Sequence, residues 1–333
     1  MAETATHTLP ALDSQPQAGT HRLVFIDTAR CIALFLTVFA HLYSVDSNVR
    51  LYIYAFHMPL FFLLSGFLHK DSPSDFLIVK TVRRLLVPFS FFLVLGYLFF
   101  VISSGSPRWD IVKGSVRGII LGKSILANDI LWFLLALFLV KIIGNLFILY
   151  PRTSCIPTAL LFVFFYLSKR NWLYLGSAFM AIPFYLAGHY GKKAILSVCK
   201  SRFRLLIAVF LLAASALLTS INGRVSMMAT TYGNTGHGLL DIALFYVNAL
   251  AGCLAILCIA SAIPSSGRLT GVIARSGISI VGLQFIPVML WIQFVGHDQP
   301  FLLSLSFTIL ILAVCVLFST LVRKRAKWLL GGK

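Results

Sequence analysis

Runs of about 20 apolar residues, each closed by a cluster of charge, Pro, Gly or Asn, recur along most of this 333-residue chain. Such windows lie at 23–43, 51–69, 84–103, 126–149, 154–169, 172–190, 204–221, 240–262, 272–294 and 300–322. A helix of that length matches the hydrocarbon thickness of a bilayer and satisfies its own backbone hydrogen bonds, so each window predicts a transmembrane helix. The expected fold is an all-α, polytopic membrane helical bundle of about ten transmembrane helices. The window at 154–169 is short. The stretch 103–125 is long and apolar enough to hide an interfacial or re-entrant helix. Residues 1–20 are polar and without an apolar core, so they read as a disordered cytoplasmic tail rather than a signal peptide. A single membrane domain over 21–326 and a basic cytoplasmic tail over 327–333 complete the organisation.

Composition removes the other classes. Hydrophobic residues make up 59% of the chain and charged residues 11%, with 29 Phe and a mean hydropathy of +0.92. A surface so poor in charge must be covered by lipid, which excludes soluble, disordered and collagenous chains. The 28 Lys and Arg against 10 Asp and Glu give +18, a balance that in a soluble protein would suggest nucleic acid. Here the positives fall between apolar runs, as in loops facing anionic lipid. With the N-terminus inside, twenty of them fall on the cytoplasmic side and eight outside, which supports both termini being cytoplasmic. The six Cys include no CxxC pair and read as small buried thiols. No internal repeat is visible, which weighs against many transporter folds.

Ionisable residues inside the windows demand explanations, because lipid makes them costly. Arg30 and His41 are eleven residues apart, three turns plus about 20°, so they share one helix face at a separation of roughly 16 Å. Asp27, three residues before Arg30, reads either as its neutralising partner in a site or as half of an interfacial pair that ends the span. A seven-residue loop brings His57 of the second window to a depth comparable with His41, and two imidazoles there suit proton transfer. Two histidines are too few for a zinc site, so no metal is expected. Ser65 and Gly66 read as helix-packing residues. Lys80, Arg83 and Arg84 are either countercharge for a phosphorylated cytosolic ligand or ordinary membrane-anchoring positives. Asn128 or Asp129 can cap the fourth span. Trp132 reads as aromatic belt, Trp172, Trp291 and the Tyr residues as belt or as a sugar platform, and Asn222, Tyr232 and Asn234 supply hydrogen-bonding groups on the outer side.

The segments FIDTARCIALFLTVFAH, AFHMPLFFLLSGFL, KTVRRLLVPF and LWFLLALFLV together resemble the integral-membrane acyltransferases of acyltransferase family 3, especially the sugar and polysaccharide O-acetyltransferase branch. The motif of a basic residue and a histidine with ten residues between falls on Arg30 and His41, and the basic-x-x-Arg motif on Lys80 and Arg83. The resemblance implies a membrane-bound O-acyltransferase of the bacterial inner membrane, with 21–326 as its transmembrane acyltransferase domain. It would use cytosolic acyl-coenzyme A, usually acetyl-coenzyme A, as a donor rather than a permanently bound cofactor. The acceptor would be a hydroxyl of a cell-envelope glycan, exopolysaccharide or lipid-linked sugar. His41 matches the family's essential histidine, with Asp27 and His57 beside it as catalytic residues. Arg30, Lys80, Arg83 and Arg84 would hold the donor, and Trp132, Asn222, Tyr232, Asn234 and Gln284 the acceptor. Gln284 is a departure, since many relatives carry histidine there. The four basic residues of 103–125 read as an acceptor-facing surface or as a misplaced window. A lipid-linked sugar transporter or flippase is the alternative, since it too places ionisable residues in a cavity.

Overall fold

The computed structural model describes residues 24–43, 47–70, 74–264, 268–296 and 299–332. The expected tail at 1–20 and Lys333 at the end of the expected basic tail lie outside them. Among the described residues the chain is helical, its helices joined by turns and loops, with one isolated bridge between Ser226 and Thr231 and no sheet. In chain order the helices are α1 (Val24–Leu42), α2 (Asn48–Phe67), α3 (Ser74–Thr81), α4 (Val87–Ser104), α5 (Trp109–Leu121), α6 (Trp132–Leu149), α7 (Pro151–Ser168) and α8 (Leu175–Tyr190). They continue with α9 (Lys192–Lys200), α10 (Arg204–Asn222), α11 (Gly238–Ala262), α12 (Arg268–Arg275), α13 (Gly277–Leu283), α14 (Phe285–Phe294) and α15 (Phe301–Arg325).

Among the described residues, eight helical segments are long and apolar enough to cross a membrane: α1, α2, Phe76–Ser104, Asp129–Leu149, α10, α11, Gly277–Phe294 and α15. The molecule is a multi-spanning membrane helical bundle. The two remaining apolar windows fold as the 18-residue α7 and the 16-residue α8. Helix α7 carries two prolines and an arginine near its start yet exposes Ile156, Leu160, Val163, Phe164 and Leu167, an apolar surface suited to lipid. Helix α8 is the opposite case, with Phe184 and Tyr185 fully buried.

The core gathers α2, α8 and α11 around α1 and α6. Gly66 of α2 and Gly188 of α8 make that crossing tight, because a Cβ on the first would strike the Tyr185 carbonyl and one on the second the Leu63 carbonyl. Small residues at a helix contact let backbones approach, in keeping with the reading of Gly66.

Two departures from regular helix shape the ends. Pro88 has no N–H for the Arg84 carbonyl, and the turn before it opens into a π-helical segment, Val82–Leu86, that joins α3 to α4. The short 3-10 turn Lys327–Leu330 buries Leu330 and brings Gly331 against the Arg84 backbone. The stretch 103–125 holds α5, an amphipathic helix. Its Ile111 and Ser115 are buried, while Trp109, Val116 and Ile120 stay exposed beside Lys113 and Arg117.

Candidate active site

Helical periodicity builds the site. On α1, residues Arg30, Leu34, Thr37 and His41 follow the i, i+4, i+7, i+11 spacing of one face, and that face lines two cavities in succession. Arg30 and Leu34 belong to the first, Thr37 and His41 to the second. Helix α2 runs back with Arg50, Tyr54, His57 and Phe61 on the second cavity, then Phe61, Leu64, Ser65 and Leu68 on the first. Among the described residues only Phe61, Phe133 and Val281 line both, and the rings of Phe61 and Phe133 lie with centroids 5.5 Å apart. These three side chains form the partition.

The cavity at the Arg30 end has a volume of about 540 Å³. Six cationic side chains line it: Arg30, Lys70, Lys80, Arg84, Lys141 and Arg275, together with His69. Among the described residues, no carboxylate lines it. Asp27 pairs with Arg30 at 3.9 Å from outside that lining, and His69 Nδ1 is hydrogen-bonded to the Tyr185 hydroxyl at 2.7 Å. Like charges held this close repel, so the cavity favours a polyanion. Arg83, one position from Arg84, is exposed and does not line it. Ser65, expected to serve only packing, faces this cavity.

The cavity at the His41 end is smaller, about 250 Å³. Each histidine is tied to its own helix: His41 Nδ1 lies 2.7 Å from the Thr37 carbonyl and His57 Nδ1 2.8 Å from the Ile53 carbonyl. A carbonyl only accepts, so both Nδ1 atoms carry a proton, and in the neutral rings Nε2 keeps the lone pair. The Tyr54 ring neighbours both imidazoles, with centroid distances of 6.2 Å to His41 and 5.0 Å to His57. Arg50 Nη2 donates to the Tyr54 hydroxyl at 3.3 Å, and its guanidinium lies over that ring at 5.1 Å. Its Nη1 is buried with no hydrogen-bond partner among the described residues. Asp129 completes the polar lining, its Oδ1 accepting from the Ile125 amide at 3.2 Å. Sequence reasoning missed Arg50 as a site residue. The signal was present, since 50, 54 and 57 share one helix face.

Other expected site residues are dispersed. Asp27 is fourteen residues from His41 on the same helix, about 21 Å, so it accompanies Arg30 and not the histidines. Trp132 does line the histidine cavity and is buried. Asn222, Tyr232 and Asn234 do not line it. They hold the 223–237 loop in shape: Asn222 Nδ2 donates to the Tyr232 carbonyl at 2.7 Å and the Asn234 amide to the Asn222 carbonyl at 3.0 Å. What that loop presents to the cavity is Ser226, Met227 and Met228. Gln284 is fully buried at the α13–α14 junction and lines neither cavity. Neither Asn128 nor Asp129 caps α6; the Asn128 amide donates to the Gly282 carbonyl at 2.8 Å instead.

A family model described as an acyltransferase domain matches residues 23–320, nearly the whole of the described bundle. The chain belongs to that family and is a polytopic membrane acyltransferase. Comparison with curated proteins and with solved structures returns no match.

Proposed function

We propose that the protein transfers an acetyl group from acetyl-coenzyme A to a hydroxyl of a cell-envelope glycan or lipid-linked sugar. The observation that carries this reading is the pair of adjoining cavities, one lined by six cations and the other by two histidines in the base-competent tautomer. Coenzyme A carries a diphosphate and a ribose phosphate at one end and the thioester at the other. Arg30, Lys80 and Arg84 hold the phosphates, and the slender arm passes Phe61, Phe133 and Val281 to reach the histidines. Asp27 fixes Arg30 for that contact.

In the reaction, His41 Nε2 removes the acceptor hydroxyl proton as the oxygen attacks the thioester carbonyl. The oxyanion that forms is stabilised by a buried cation, a role that the unpartnered Nη1 of Arg50 suits. Collapse of the intermediate breaks the carbon–sulfur bond. The imidazolium returns its proton to the leaving sulfur, and the acetylated sugar and free coenzyme A remain. His57 and Tyr54 keep the local hydrogen bonding and charge suited to that proton. The six-cation cavity opens to the cytoplasm, where the donor is made, and both termini lie on that side.

Purified protein given labelled acetyl-coenzyme A and an extract of envelope glycans should move label to glycan. Sugar movement across proteoliposomes without acetyl transfer would instead establish the transporter reading. For topology, a cysteine introduced at Ser197 should react only with reagents that enter the cytoplasm; labelling in intact cells by an impermeant reagent overturns the orientation.

A further inference from the structure

A third cavity, of about 430 Å³, lies between the chain before α6, the α7–α8 connection and the 223–237 loop. Lys123, Lys169 and Arg170 line it together with Trp172, and among the described residues no carboxylate does. These four side chains are exposed, and the Arg170 guanidinium lies over the Trp172 indole at 5.1 Å. Met228 lines both this cavity and the one holding the histidines, so the two adjoin.

The backbone around it is held in costly conformations. The four non-glycine residues with positive φ among the described residues are Lys169, Leu173, Tyr174 and Thr230, and all lie on the segments that form this cavity. Such conformations persist only where the surroundings enforce them, and they gather at ligand sites. Asn171 does the enforcing. Its Nδ2 is within hydrogen-bond distance of the Met228 carbonyl at 2.7 Å, the Ser177 hydroxyl at 2.9 Å and the Gly122 carbonyl at 3.1 Å, and its Oδ1 accepts from the Ser177 amide at 2.9 Å. The Tyr174 hydroxyl ties the same region to the Lys123 carbonyl. One buried side chain thus joins three segments of chain far apart in sequence. Positive charge here also runs against the bias expected from the sequence, which assigns twenty Lys and Arg to the cytoplasmic side and eight to the other.

We infer that this cavity is an acceptor subsite for an acidic glycan: Lys123, Lys169 and Arg170 receive a phosphate or carboxylate of the sugar chain while the Trp172 indole carries a sugar ring. The inference rests on the acetyltransfer reading and names the chemistry of its acceptor. An anion seated here leaves a neighbouring hydroxyl free to pass Met228 toward His41.

The test uses the full chain in phosphatidylcholine nanodiscs, with labelled acetyl-coenzyme A and envelope glycans from the native cell. Labelled product should be retained on an anion exchanger. The variant carrying Lys123→Gln, Lys169→Asn and Arg170→Gln removes the charge while Asn tolerates the positive φ, and should raise the acceptor KM about tenfold or more with the donor KM unchanged. Trp172→Ala should raise the acceptor KM as well. Neutral labelled product, or an unaltered acceptor KM in the triple variant, overturns the subsite while leaving the acetyltransfer reading intact. Absence of any labelled product from the wild-type chain overturns both. If the deficit of the triple variant appears only when phosphatidylglycerol is added, the occupant is a lipid headgroup and the glycan assignment fails.

Discussion

The two cavities that meet at Phe61, Phe133 and Val281 are made in different ways. The histidine cavity takes His41, Arg50, Tyr54 and His57 from α1 and α2, consecutive helices in the chain, and adds only Asp129 from the turn before α6 as an ionisable group among the described residues. The cationic cavity draws its charges from five stretches of chain, from Arg30 to Arg275, and places them by tertiary packing alone. On the proposed acetyl transfer, the difference teaches that the reacting groups are fixed locally while the donor's grip is collective. Losing one reacting group should therefore be severe, and losing one cation mild.

The sharpest break in that comparison is His41→Ala. It should lower acetyl transfer by about a thousandfold or more while coenzyme A still binds. Transfer at the wild-type rate by folded, coenzyme A-binding protein would refute the assignment of the base, and a greater loss in His57→Ala would move that role to His57. Next comes Arg50→Ala, for which kcat should fall about a hundredfold with little change in donor KM if it meets the oxyanion. A fall confined to acceptor KM would place Arg50 on the sugar instead.

Val281→Trp tests the partition. Val281 is buried in the apolar core as well as lining both cavities, so the test is read on folded protein that still binds the donor, in which transfer should drop about tenfold or more. Equal transfer in variant and wild type means that the arm does not pass there. Lys80→Ala and Arg84→Ala should each weaken coenzyme A binding about fivefold to tenfold, more at low salt than at high. Arg83→Ala should change it by less than about twofold, because an exposed cation off the cavity wall is screened. An Arg83 effect as large as that of Arg84 would show that the donor reaches beyond the cavity.

The same contrast explains what was legible in the sequence. Spans follow from apolar windows, so α1, α2, α10, α11 and α15 begin and end close to the predicted limits. Arg30, His41 and His57 were legible because a helix converts spacing into a shared face. Lys141, His69 and Arg275 were not, since nothing local to them says that α6, the end of α2 and the end of α12 converge. Asn222, Tyr232 and Asn234 show the converse. Their polarity marks a loop that must satisfy its own backbone, and the structure uses it for that, leaving Ser226 to Met228 against the cavity. Helix α5 lay hidden in 103–125 because an amphipathic helix with charges on one face resembles a polar loop when hydropathy is averaged.

The bond from each histidine to the carbonyl four residues before it has one more consequence. A base whose tautomer is set by its own helix needs no neighbour to orient it, so its chemistry can be inherited unchanged while the surroundings diversify. On the proposed reading, the 223–237 loop and the α7–α8 connection, which do not touch that bond, are then free to be rewritten for new acceptors. Exchanging those two segments between relatives should transplant acceptor preference onto a reaction centre that never has to be rebuilt.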